Sequence, residues 1–512
     1  MPTSHPRDLL TDPAWAASDL GLPLPPVTHA VSVALPAWQD VIDYEEGHPR
    51  IAAALQAGYP RFFLHPLVSQ LFGEATRRFA GEGEGCLVFP GKLAAQRAAE
   101  YVRRKSGMDC RVERYGAGEL HVLIFLESLR KTAREAWRYC GAVVSSRLAA
   151  RALAGWVASG AAPLLAEGAA AKATIRARLA AISGVSPDDV ILFPSGMNAM
   201  AAAHRLVTAL RPGLPTVQLD FPYVDVLRVQ QEFGSGVEFF PVADVAAIGK
   251  VAALAEAGTI AAVFAEVPSN PLLSCVPVDA LADRLHAAGI PLVLDDTVAS
   301  VVNINALAAA DLVTSSLTKA FSGVGDVIAG ALTLNPRSAH YAFFKAAIVN
   351  EPDLLWSEDA IALEKNSRDF AARVHQMNRN AEALTDFLKT HPAVVRVWYP
   401  ETTAGFGRMA RAGGGRGCLF SFLLEDEAHA SAFYDNLHLS KGPSLGTNFS
   451  LCCPYTLLAH YQELEWAASC GVPRHLLRVS VGLESADDLL ARFSAALNTR
   501  RPCEDPLIMA RE

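Results

Sequence analysis

Positive charge is in short supply: 45 lysines and arginines stand against 53 acidic residues, a net charge of −8. No stretch gathers a Lys/Arg-rich block, which argues against nucleic acid or an anionic membrane as a partner. Charge of either sign is scarce, at 19% against 51% hydrophobic residues, so the chain is globular rather than disordered. Long hydrophobic runs are missing too. Ala152 to Ala166 is apolar, but it is shorter than a membrane span and broken by glycine and proline. Met1 to Ala30 carries Asp8, Asp12 and Asp19 among prolines and lacks the apolar stretch of a secretory leader. Nine cysteines, with Cys452 beside Cys453, show no paired framework and no C-x-x-C spacing. That excludes a disulfide scaffold, and no metal-ligand spacing stands out. The expectation is a soluble protein of a reducing cytoplasm, with no metal.

With 512 residues the chain has room for two or three domains. Up to about Trp38 it is proline-rich and reads as an extended arm, and helical spacing follows from Ile51 to Phe79, broken at Tyr59-Pro60-Arg61. Short apolar runs at Cys86 to Phe89 and Leu120 to Phe125 flank a helical segment, and an alanine-rich helical region follows. From Val190 onward, short apolar strands alternate with amphipathic helices: Val190 to Phe193, Thr216 to Leu219, Val237 to Pro241, Ala261 to Glu266, Pro291 to Asp295, Leu312 to Ser315 and Ala329 to Leu334. This predicts a mostly parallel α/β sheet covered on both faces. After Asn335-Pro336 the pattern turns α+β. The expected division is an arm at 1–75, a large domain at 76–335 with an insertion around 80–180, and a C-terminal α+β domain at 336–512. The cluster Gly413-Gly414-Gly415 reads as a loop, since no strand leads into a helix there.

Three motifs carry chemistry. Thr314-Ser315-Ser316-Leu317-Thr318-Lys319 is a hydroxyl cluster closing on one lysine, and it follows the strand that ends at Asp295-Asp296. A lysine amine can condense with the aldehyde of pyridoxal 5′-phosphate, and a buried carboxylate can keep that cofactor's ring nitrogen protonated. Ser195-Gly196-Met197 stands between a strand and an alanine-rich helix, where glycine allows close approach and free amides bind phosphate. Glu266-Val267-Pro268-Ser269-Asn270-Pro271 lies at a strand's carboxyl end, where open α/β sheets place ligands. Asp296 competes with Asp295 for the ring nitrogen. A lone glycine turn, a strand-end aspartate or a strand arginine is ordinary in such folds, so the weight lies on their combination.

In this order, together with Tyr223, Thr297, Gly330, Ser444-Leu445-Gly446 and Leu477-Arg478-Val479-Ser480-Val481-Gly482-Leu483-Glu484, the motifs resemble the Cys/Met-metabolism family of fold-type-I pyridoxal-phosphate enzymes. That family includes cystathionine γ-synthase, cystathionine lyases and O-acetylhomoserine sulfhydrylase. The upstream runs His29 to Pro36, Tyr44 to Gly47 and Gly58 to Phe63, with Pro454 to Tyr461, are similar to its long fungal-type γ-synthase branch. The resemblance implies a three-layer α/β/α cofactor domain with a smaller C-terminal domain. It implies that Lys319 carries the cofactor and moves protons, that Asp295 pairs with the ring nitrogen, and that Tyr223 stacks on the ring. Ser195, Gly196, Met197, Ser316 and Thr318 would bind the phosphate, Asn270 the phenolic oxygen, and Arg478 with Ser444 the substrate α-carboxylate. Tyr59 and Arg61 would reach the phosphate from a neighbouring subunit, giving a homodimer or homotetramer with shared sites.

The implied reaction is γ-replacement on an O-acyl-L-homoserine by L-cysteine, giving L-cystathionine on the way to methionine. A lyase, a sulfhydrylase or γ-replacement by another nucleophile are the alternatives, and a non-catalytic binding protein is the alternative of another class. Ala320-Phe321-Ser322-Gly323-Val324-Gly325-Asp326 departs from the family's Tyr-x-x-Gly-His-Ser-Asp. Ser444 to Ser450 lacks its Gly-Gly-x-Glu-Ser. Both departures bear on the substrate side chain rather than on the cofactor.

Overall fold

The computed structural model describes residues 7–59, 63–116, 118–155 and 161–499. The first sheet is small and stands by itself. Its strands β1 (Glu84–Phe89), β2 (Arg111–Arg114) and β3 (His121–Leu126) run antiparallel in the order β1-β3-β2. Continuous apolar runs such as Val122-Leu123-Ile124-Phe125 demand cover on both faces. Helices α1 (Pro66–Phe79), α2 (Lys92–Ser106) and α3 (Arg130–Cys140) supply it with Leu71, Phe72, Tyr101 and Trp137. The exposed edge strand β2 is Arg-Val-Glu-Arg, the charged composition that discourages edge pairing.

The second sheet has seven strands in the order β4-β10-β9-β8-β7-β5-β6. These are β4 (Val190–Phe193), β5 (Thr216–Leu219), β6 (Val237–Phe240), β7 (Val263–Glu266), β8 (Leu292–Asp295), β9 (Leu312–Ser315) and β10 (Gly330–Leu334). The run β6-β5-β7-β8-β9 is parallel, and β10 pairs antiparallel with both β9 and β4. Every expected strand of this stretch is present. Val263, Val293, Leu294 and Leu312 are buried, as central strands sandwiched between helices require. Helices α4 (Gly196–Leu210) and α5 (Val224–Phe233) begin at the sheet's ligand-binding edge.

The C-terminal sheet is β11 (Val394–Trp398), β12 (Leu419–Leu424), β13 (Ser440–Lys441), β14 (Leu451–Pro454) and β15 (Leu477–Ser480), in the order β11-β12-β15-β14-β13. The segment from Leu35 to Ile51 packs onto this domain. Leu35, Trp38, Val41 and Ile51 sit in one buried cluster with Phe420 and Tyr434 of this domain. The Trp38 amide donates to Asp435 Oδ1 at 2.7 Å, and the Tyr434 hydroxyl donates to the Leu35 carbonyl at 2.7 Å. No helix among the described residues is long and apolar enough to cross a membrane.

Candidate active site

Lys319 is buried just after β9, and its Nζ donates to the Tyr59 hydroxyl at 2.9 Å and to Ser444 Oγ at 3.3 Å. It also stands 5.0 Å from the centre of the Tyr59 ring. The amine therefore has hydroxyl neighbours and no carboxylate contact among the described residues, an arrangement that leaves it open to an electrophile. The loop holding it is fixed from behind. Thr318 Oγ1 exchanges hydrogen bonds with the backbone of Ala329 at 3.2 and 3.0 Å, and the Ser316 amide donates to Thr297 Oγ1 at 2.7 Å.

At the start of α4, Ser195 caps the helix by accepting from the Asn198 amide at 3.0 Å, and it donates to the Gly141 carbonyl at 2.6 Å. A Cβ on Gly196 would lie 2.8 Å from Ser316 Cβ, and one on Gly330 would lie 2.3 Å from the Ser195 carbonyl. Three segments thus pack backbone on backbone around the turn, and only glycine fits. The unpaired amides of the helix's first turn make this an anion site.

Asp295 and Glu266 end neighbouring strands in register. Asp295 accepts from Thr314 Oγ1 at 2.7 Å and from the Thr297 amide at 2.9 Å, while Glu266 accepts from the Tyr223 amide at 2.7 Å. Burial raises both carboxyls above the usual carboxylate range, and Asp295 pushes Glu266 further up. Such a pair is relieved by a cation placed between the strands and the cavity. Asp296 points the other way, to the Ser315 hydroxyl, and burial raises its carboxyl to about 7. The geometry separates the two aspartates that the sequence left in competition: Asp295 lines the cavity, and Asp296 is not among its lining residues.

Arg478 on β15 is buried, with Nη1 donating to Asn270 Oδ1 at 3.1 Å and Nη2 to the Pro443 and Ser444 carbonyls at 2.9 and 3.3 Å. Its guanidinium lies 4.5 Å from the Tyr455 ring, and no Asp or Glu pairs with it among the described residues. A buried guanidinium with no carboxylate partner among the described residues calls for an incoming one.

These groups line one cavity of about 170 Å³: Ser195, Gly196, Met197, Tyr223, Asn270, Asp295, Ser316, Thr318, Lys319 and Arg478 all face it, and Ser444 touches it through Lys319. Arg61 lies outside the described residues. Tyr59 faces the same cavity, with its hydroxyl 2.9 Å from Lys319 Nζ. Sequence reasoning gave no role to Glu266, Thr314, Trp137, Arg138 or Tyr455, although all but Thr314 line the cavity. Thr314 was visible as part of the hydroxyl cluster, whereas nothing in the order of residues brings Trp137 and Arg138 of α3 to this wall. A buried amine, a buried acid in need of a cation, and a helix-end anion turn around one cavity are the donor set pyridoxal phosphate requires.

A family described as Cys/Met metabolism PLP-dependent enzyme matches residues 168–498, and one described as fungal trans-sulfuration enzyme, N-terminal domain, matches 67–145. The chain is 33% identical to a putative cystathionine gamma-synthase of Saccharomyces cerevisiae, over 95% of this chain and 99% of that one. It is 31% identical to a cystathionine gamma-synthase of Neurospora crassa, over 94% and 98%. It is also 31% identical to an L-2-amino-4-chloropent-4-enoate dechlorinase/desaturase of Streptantibioticus cattleyicolor, over 93% and 97%. Among solved structures, cystathionine gamma synthase of Xanthomonas oryzae in complex with aminoacrylate and cysteine matches with a TM-score of 0.54 and 27% identity, covering 62% of this chain and 83% of that one.

Proposed function

Because the chain belongs to the Cys/Met metabolism family of PLP-dependent enzymes, we propose that it catalyses γ-replacement on an O-acyl-L-homoserine with L-cysteine, giving L-cystathionine. The observation that carries this reading is the near full-length match, in both directions, to relatives named cystathionine gamma-synthase. It extends through the N-terminal unit whose α3 lines the cavity.

Bound pyridoxal phosphate supplies the electron sink that acidifies protons at the substrate's Cα and Cβ. The Gly196 and Met197 turn, with Ser195, Ser316 and Thr318, would hold its phosphate, with Tyr59 nearby. Asp295 holds the ring nitrogen, Tyr223 the ring face, Asn270 the phenolic oxygen and Lys319 the aldehyde. Arg478 takes the substrate α-carboxylate in its two-pronged grip, displacing its backbone partners, and so aims Cα at Lys319. The Lys319 amine would accept the proton from Cα, pass it on and so be free to accept the one from Cβ, and would return a proton to each carbon after the thiolate has added at Cγ. Ser444, 3.3 Å from Nζ, steadies the amine between these positions. The Tyr223 hydroxyl hands a proton to the departing acyl group. Apolar Leu445, Leu458 and Trp137 close the wall and keep water from competing with the thiol.

Elimination, or replacement by a different nucleophile, is the second reading. The match to a dechlorinase/desaturase favours it, and Ala320, Val324 and Gly325, with Ser444 to Ser450, depart from the family pattern beside the lysine. Mass spectrometry of products from O-acetyl- and O-succinylhomoserine and from cystathionine, each with and without cysteine, decides between them. Cystathionine formed only when cysteine is present supports γ-replacement. Release of ammonia and 2-oxobutyrate without cysteine incorporation defeats it.

A further inference from the structure

One corner of the cavity is built around Tyr455, which opens the short helix Tyr455–His460 directly after β14. The chemistry assigned above gives it no part, yet it touches two residues that have one. The Arg478 guanidinium lies 4.5 Å from the centre of its ring, and its hydroxyl accepts from Asn270 Nδ2 at 3.3 Å. Asn270 Oδ1 in turn accepts from Arg478 Nη1 at 3.1 Å, so the three side chains close a triangle. Tyr455 is itself buried and is held from behind. The His460 ring packs against it with centroids 5.9 Å apart. His460 Nδ1 pairs with Glu463 Oε1 at 3.0 Å, and Glu463 Oε2 accepts from Arg228 Nη2 at 2.9 Å. Arg228 stands on α5, the helix that follows Tyr223. The ring is therefore braced against turning away from the guanidinium.

A buried guanidinium must be compensated before any ligand arrives. Oxygen acceptors do this by occupying its N–H donors: Nη2 is engaged by the Pro443 and Ser444 carbonyls, and Nη1 by Asn270. An incoming carboxylate has to take such donors over. The Tyr455 ring differs, because attraction to its electron-rich face uses no N–H group. It leaves the planar fork to the carboxylate, and it is kept while the carbonyl contacts are exchanged. The hydroxyl completes the arrangement. With Nδ2 directed to Tyr455, the Asn270 amide keeps its oxygen on Arg478.

We propose that Tyr455 is a positioning residue for substrates that carry an α-carboxylate: its ring keeps the Arg478 fork aimed while the carboxylate replaces the backbone carbonyls. The inference rests on the reading of Arg478 as the carboxylate ligand, and the test separates the two. Two ligands are bound to the loaded enzyme and followed by the change in cofactor absorbance. One is L-norleucine, which has no leaving group; the other is pentylamine, the same chain without the carboxylate. Tyr455→Leu should weaken L-norleucine at least about tenfold and leave pentylamine within about twofold. Tyr455→Phe keeps the ring and should bind L-norleucine within about threefold of the unaltered enzyme. A packing role alone would weaken both ligands alike, and that outcome overturns the proposal. Unchanged L-norleucine affinity in Tyr455→Leu overturns it too. Arg478→Lys is run beside these variants. If it weakens L-norleucine selectively and Tyr455→Leu does not, the tyrosine's role alone falls. If L-norleucine binds Arg478→Lys unchanged, the carboxylate reading fails and takes this inference with it. Melting temperatures check that each variant folds; where Tyr455→Leu does not, the more adaptable Tyr455→Met carries the same expectations.

Discussion

Asp295 and Glu266 end adjacent strands in register, Glu266 buried and Asp295 half-buried at the cavity, both raised by desolvation, with no basic side chain paired to either among the described residues. The protein holds two acids ready for a cation it does not itself provide. Asp295→Asn keeps the shape and the Thr314 contact but cannot hold a proton on a ring nitrogen. Turnover should fall by about 10² or more, since breaking a buried charge pair costs ~3–5 kcal/mol; steady-state kinetics on the loaded variant measure this. Asp296→Asn is the control, because its side chain is turned to Ser315 away from the cavity, and it should keep most of the activity. Arg478→Lys tests the other pole. Lysine keeps the charge but loses the planar fork that spans Asn270 and the Pro443 carbonyl. KM for the acylated homoserine should rise at least tenfold while cofactor affinity holds. The meeting of Lys319, Asp295 and Arg478 at one cavity was legible from residue order, since each sits in a local motif. Glu266 was not, because its meaning depends on which strand lies beside it.

At the scale of elements, the parallel sheet was readable because buried strands are apolar throughout and helices separate them. Two pieces escaped. The strand β14 is Leu-Cys-Cys-Pro, whose adjacent cysteines hide a four-residue buried run that pairs with β15. The segment before Tyr59 is proline-rich without periodicity, yet it is core, because its burial comes from isolated anchors such as Trp38 and Leu35 rather than from one repeating face. Trp38→Ala should therefore cost ~3–5 kcal/mol of stability, as for a buried aromatic in any core, where a loose arm would lose almost nothing. Chemical denaturation measures the difference. The junction of β10 with the Ser195 turn makes a second test. In Gly330→Ala the new methyl must displace the Ser195 carbonyl and Gly196, which it would approach to 2.3 and 2.7 Å. Cofactor affinity, from equilibrium titration, should drop about tenfold or more, in line with the ~1–3 kcal/mol of overpacking.

For the whole molecule, the site joins three units: the turn and the acids come from the second sheet, Arg478 and Ser444 from the third, and Tyr59, Trp137 and Arg138 from the N-terminal part. No sequence pattern announces that convergence, since it follows from docking between units rather than from any segment's own preference. The docking also links stability to protons. The folded protein raises Glu266, Asp295 and Asp296 above their unfolded values of about 4. In that window the fold binds more protons than the unfolded chain, so stability without cofactor falls as pH climbs. For Asp296 the fall runs from about 4 to about 7 and then stops. A cation on Asp295 reverses this for that residue: its folded pKa drops, and ionisation ceases to count against the fold. The gain in melting temperature on adding pyridoxal phosphate should therefore grow as pH climbs above the unfolded carboxylate value of about 4, because a tenfold change in proton affinity is worth ~1.4 kcal/mol. Calorimetric scans of both forms across that range would register the trend, and in Asp295→Asn it should vanish. A gain that stays constant with pH in the unaltered enzyme would mean that Asp295 meets no cation when the cofactor binds.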